Sequence, residues 1–279
     1  MSESVLRGCR DVFIDTAVLL AIPVGLVFLH FALPDAMYDE LVFTYGNANP
    51  VTAWTAAYLH SSNMHLYSNL AGYGIAIGFA YYLYSAYLQN RRLFWITVAI
   101  LLVIVPPITT VVDYVVLYQH AGLFADGAVS KGFSGIVSAF GGMFLAAIGF
   151  VVVDEYNTMT GAQTVLLIVL TALGVVTAAN GIITPTIAGL LGFAIVLQGT
   201  AFVSRTDLYQ PSQLRTRVEQ HAANIVQVTA YGAVVCIFVY LILPIDVVQS
   251  GSFVNILAHS VGFVIGIVGS TITAPVSLR

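Results

Sequence analysis

Between its short polar breaks this chain is a succession of apolar runs long enough to cross a bilayer. A crossing helix needs about 20 mostly apolar residues. Eight runs qualify, at roughly 11–33, 63–88, 92–118, 132–153, 163–181, 184–204, 222–245 and 253–274. The fifth and sixth together are too long for one span, and Asn180-Gly181 followed by Pro185 supplies a tight turn between them. Composition agrees: 59% of residues are hydrophobic and 8% charged, where a soluble domain carries roughly a quarter charged. The sequence therefore predicts an all-α polytopic membrane protein, a single membrane domain over 1–279 with about eight transmembrane helices.

A net charge of −4, thinly spread, gives no case for nucleic acid. Cys9 and Cys236 make no disulfide framework. The first apolar run, preceded by Arg7 and Arg10, is too long for the core of a signal peptide and lacks a small-residue cleavage site, so it reads as a retained span. Basic residues orient the whole. With the N-terminus in the cytoplasm, Arg7, Arg10, Arg91, Arg92, Arg205, Arg215, Arg217 and Arg279 all lie inside. Of the nine basic residues, Lys131 alone lies outside. Both termini are thus expected in the cytoplasm, and a cell membrane is the simplest location. Residues 34–62 are too apolar for a free loop and too broken for a span. They read as an outer-side segment lying partly in the interface, and an ordinary structured loop fits their composition equally well.

Several polar side chains stand inside these runs, where they are expensive to keep. Ser134 lies in Gly132-Phe133-Ser134-Gly135 at the start of the fourth run, His65 and Asn69 in the second, and His259 in the eighth. Spans two, four and eight all run inward in the predicted topology, so these residues share the outer leaflet. His259 is expected about seven residues into its span, roughly 10 Å below the surface at 1.5 Å per residue. His65 and Asn69 are four apart and share a helix face, with Ser61, Ser62 and Asn63 as candidate caps. Ser134, Ser138 and Gly142 form one small-residue stripe, and His259, Gly262, Gly266 and Gly269 another. Small residues at this spacing let membrane helices approach closely, which would bring Ser134 near His259.

The residue types suit acyl chemistry. A serine hydroxyl needs an adjacent base, and His259 can take its proton and return it to a leaving amine. The oxyanion needs fixed donors, which Asn69, His65 and the Ser134 backbone N–H can supply. Neither Asp113 nor Asp246 has an obvious place as a third member, so a Ser–His dyad is expected. Singly, each residue has a structural alternative: a membrane serine usually bonds back to its own helix, and small-residue stripes often mean packing alone. Pro106-Pro107 should kink or break the third span. His30, His120 and His221 lie near span ends or in loops and receive no role.

Three motifs resemble those of the rhomboid family of intramembrane serine proteases. His60-x4-His65-x3-Asn69, Gly132-x-Ser134-Gly135 and Ala258-His259-x2-Gly262-x3-Gly266 occur in the family's order. The resemblance implies a rhomboid-like helical bundle, with a six-helix core and an inserted hairpin within 154–252. It implies Ser134 as nucleophile, His259 as base, and His65 and Asn69 at the oxyanion site with His60 near its mouth. It also implies transmembrane protein substrates cut near the outer face, and no metal or cofactor. This chain departs from the family in three ways. Ser138 stands where an aromatic usually packs on the catalytic histidine. Trp54 is followed by Thr55 rather than arginine. Three spans, not one, separate the serine and histidine helices. A catalytically inactive relative that binds membrane proteins is the alternative, and a small transporter with a polar path through His65, Asn69 and His259 a third reading.

Overall fold

The computed structural model describes residues 3–205, 211–243, 248–249, 252–253 and 255–274. It is nearly all helix: α1 (Glu3–Ala32), α2 (Asp35–Leu41), α3 (Pro50–Thr55), α4 (Asn63–Tyr81), α5 (Arg91–Asp113), α6 (Ser134–Glu155), α7 (Thr158–Ala179), α8 (Pro185–Arg205), α9 (Pro211–Ile242) and α10 (Ile256–Thr273). π-helical turns extend α4 over Tyr82–Tyr87 and α5 over Tyr114–His120. Among the described residues, two-residue strands form two antiparallel pairs, β1 (Phe43–Thr44) with β2 (Val129–Ser130), and β3 (Val248–Gln249) with β4 (Ser252–Phe253).

Among the described residues, six helical stretches are long and apolar enough to cross a bilayer: Arg10–Ala32, Arg91–His120, Ser134–Glu155, Thr158–Ala179, Ala222–Ile242 and Ile256–Thr273. The chain is a multi-pass helical membrane protein. The other two expected spans, on α4 and α8, are helical as well. Asn63, His65, Ser68, Asn69 and the tyrosines of α4 lower its hydropathy. α8 runs from Pro185 to Arg205, about 31 Å at 1.5 Å per residue, comparable with a hydrocarbon core of about 30 Å. α7 and α8 form the expected hairpin, turned at Asn180 and at Gly181, whose φ of +62° suits glycine. Of the two expected outcomes at Pro106-Pro107, a kink or a break, α5 shows no break and runs through both prolines.

The chain forms two compact units, Met1–Ala71 with Thr110–Phe133, and Gly72–Thr109 with Ser134–Arg279. In the first, residues 34–62 are well structured. Asn49 caps α3 by accepting from the Val51 N–H at 2.8 Å, and Pro50 fills the first helical position. Phe43, Tyr45, Ala53 and Ala56 form a small core against Tyr114, Tyr118, Phe124 and Ala128. The apolar content of this segment therefore fills a core of its own, while Val51 and Trp54 remain exposed.

In the second unit α6 is the central helix, with every residue from Gly135 to Val152 buried. Glycines admit its neighbours. A Cβ on Gly262 or Gly266 of α10 would overlap the Gly135 or Ala139 carbonyl oxygen, and one on Gly142 would overlap the Phe263 carbonyl. Gly141 accommodates the Phe238 ring of α9, and Gly149 and Gly161 meet where α6 passes α7. α6 and α10 thus meet along one seam, with backbones in direct contact at Gly142, Gly262 and Gly266 of the expected stripes, while Gly269 faces Leu101 of α5 instead.

Candidate active site

Ser134 is the first residue of α6, half-buried, with its neighbours Phe133 and Gly135 buried. The strand pair β3–β4 takes up the residues before α10, and the Asn255 side chain caps that helix by accepting from the Ala258 N–H at 3.0 Å. His259 therefore falls in the first turn of α10, not seven residues into a span as the sequence suggested. Ser134 and His259 each sit in the first turn of one partner of the glycine seam, and both flank its first contact, Gly135 against Gly262.

The His259 ring is 7% exposed, and its Nδ1 is hydrogen-bonded to the Ile242 carbonyl at 2.5 Å. A carbonyl oxygen can only accept, so Nδ1 carries the proton and Nε2 keeps its lone pair. That is the tautomer a general base needs. Ile242 is the last residue of α9, where carbonyls lack partners within the helix and the helix dipole favours a cation. A backbone group thus orients the ring, the task an acid performs in a triad. Side-chain reasoning could not find it, although Leu243-Pro244 in the sequence marks a helix end just there. Of the two acids considered, Asp113 is on α5 in the first unit and Asp246 lies outside the described residues. Ser138 is fully buried and its Oγ donates to the Ser134 carbonyl at 2.8 Å. It serves its own helix. No hydrogen bond joins Ser134 Oγ to His259.

The second-run residues and Gly132 belong to the first unit. Ser62 caps α4, its Oγ accepting from the His65 N–H at 3.2 Å, which fixes His65 in the first turn. The His65 Nδ1 is 3.1 Å from Ser61 Oγ. Gly132 has φ +134°, and a Cβ there would stand 2.6 Å from His65 Cε1. The histidine ring thus occupies the space of the missing side chain. Asn69 is 5% exposed and its Nδ2 has no hydrogen-bond partner among the described residues. A buried amide without a partner is costly, and it is a vacant donor of the kind an oxyanion uses. His60, 2% exposed, also has no hydrogen-bond partner for either ring nitrogen among the described residues. Its ring meets His65 edge-on at 5.3 Å between centroids and His30 at 6.3 Å. Burial first, then the His65 and His30 rings, pushes the His60 pKa down to about 3. Among the described residues no three His, Cys, Asp or Glu are arranged to hold a metal ion.

The expected residues thus fall into two groups. Ser134, Gly135, Ser138, Gly142, His259, Gly262 and Gly266 come together on α6 and α10. His60, His65 and Gly132 come together in the first unit, which also carries Asn69. Ile242 and His30 are the additions. Comparison with family models, with curated proteins and with solved structures finds no match.

Proposed function

We propose that the chain is an intramembrane serine endopeptidase of rhomboid type, with Ser134 as nucleophile and His259 as base. The observation that carries the reading is the His259 Nδ1–Ile242 hydrogen bond. It leaves a basic Nε2 on a ring whose helix is packed, glycine to glycine, against the helix that Ser134 opens. In the proposed reaction Ser134 Oγ attacks the scissile carbonyl while its proton passes to His259 Nε2. The Ile242 carbonyl holds the resulting imidazolium. The Ser134 backbone N–H, in the first turn of α6 and without an intrahelical acceptor, is one oxyanion donor. Asn69 and His65 are assigned to the same task on the sequence motif. His259 then protonates the leaving amine, and water releases the acyl group.

The substrates in this reading are transmembrane proteins, cut near the outer face of a cell membrane. The chain crosses eight times, counting α4 and α8, with both termini in the cytoplasm. The α7–α8 hairpin is an addition to a six-helix core. The test is incubation of the purified protein in liposomes with a panel of single-span membrane proteins. Wild type should cut some of them; Ser134→Ala and His259→Ala should cut none. Full cleavage by either variant would sink the proposal.

The missing Ser134–His259 hydrogen bond favours a second reading, a non-catalytic binder of membrane proteins. Catalytic hydrogen bonds are often long without substrate, so the protease reading stands first. Equal capture of intact single-span proteins by wild type and Ser134→Ala, with no cleavage by either, would select the binder.

A further inference from the structure

His30 received no role from the sequence, yet it ties α1 to the start of α4. α1 is otherwise little buried: 11% of its apolar window lies inside the protein. At its last turn, His30 Nε2 lies 2.8 Å from the Asn63 Oδ1. An amide oxygen accepts, so Nε2 is the donor. Asn63 is the first residue of α4, two before His65. The His30 ring also meets His60 edge-on, at 84° between planes, and His60 meets His65 at 73°. His60 makes no hydrogen bond through its ring among the described residues, so the rings on either side of it set its place by packing. Gly132 leaves the His65 ring little room on the far side. Two short paths therefore lead from His30 to His65, one through the α4 terminus and one through the His60 ring.

We propose that His30 is a positioning residue, which holds His65 in the orientation its oxyanion role requires. This rests on the protease reading given above. Around the group lie Phe31 on its own helix, and His60 and Asn63 from the segment opening α4. Tyr38 donates to the His60 carbonyl at 3.1 Å, and the Lys131 ammonium stands 5.0 Å over the Tyr38 ring. The contact to Asn63 is the one a glutamine can reproduce.

The experiment measures kcat and KM on a cleaved single-span substrate, with phosphonate labelling of the serine alongside. His30→Ala should lower kcat about tenfold with KM unchanged, because a misplaced donor weakens the transition state alone. His30→Gln, which keeps a donor for Asn63, should return kcat to within about threefold. A role in stability alone would change neither ratio in this pattern. Should His30→Ala fail to fold, His30→Gln is set against His30→Phe. The proposal expects glutamine above phenylalanine, and wild-type kcat in both would overturn it. Wild-type kcat in a folded His30→Ala, with the serine labelled, overturns the inference and leaves the protease intact. Failure of the wild-type protein itself to cleave or label overturns both.

Discussion

Around His259 the contacts that fix geometry are made by backbone: a helix-end carbonyl on the ring, and carbonyl oxygens where glycines let α6 and α10 touch. Around His65 they are made by side chains: Ser61, His60 and, through them, His30 and Asn63. The first arrangement has few adjustable parts and breaks when atoms are added to the seam. The second breaks when a polar or titratable side chain changes. Ser134 and His259, the proposed nucleophile and base, are thus placed by helix packing and a backbone carbonyl, and His65 by side-chain contacts.

The sharpest break in this contrast is chemical. Ser134→Ala and His259→Ala should each lower cleavage by at least about 10⁴-fold, since members of such a unit fail together. Asn69→Ala should cost about 10²–10³-fold, the loss of one oxyanion donor; wild-type turnover in that variant would remove Asn69 from the role. Packing comes next. Gly266→Ala places a methyl on the Ala139 carbonyl and should cost about 1–3 kcal/mol. Gly189→Ala on α8, with nothing within 4 Å, should instead stabilise by about 0.5–1 kcal/mol. Unfolding midpoints in detergent read both, and equal shifts would show that the seam is not tight.

A further break is the pH response of the polar region. His60 stays neutral in the folded protein down to about pH 3, whereas an unfolded histidine titrates near 6.5. Between those values the unfolded chain binds the extra proton, so stability falls as pH drops through that window and is level above it. His60→Phe should flatten the midpoint between pH 7 and 4. An unchanged slope in that variant would place the acid sensitivity elsewhere.

Much of this was legible in the sequence. Period and length marked the helices, Asn180-Gly181 and Pro185 marked the α7–α8 turn, and Ser62 proved the cap among the three candidates. The glycine spacing of α6 and α10 foretold their seam. The start of α10 was misplaced because Ser252 and Phe253, apolar enough on average to extend the run, pair with β3 instead. Ile242 was invisible because a backbone carbonyl carries no side-chain signature. His30 was passed over because a histidine near a span end usually means only the interface, and its partners, Asn63 and His60, lie some thirty residues away.

The most direct test of the central claim is labelling of the purified protein in detergent with a fluorescent phosphonate, beside Ser134→Ala and His259→Ala. Labelling of the wild type alone is the predicted result, since it requires a serine activated by that histidine. Absence of labelling in a folded wild type, or undiminished labelling of His259→Ala, would contradict it.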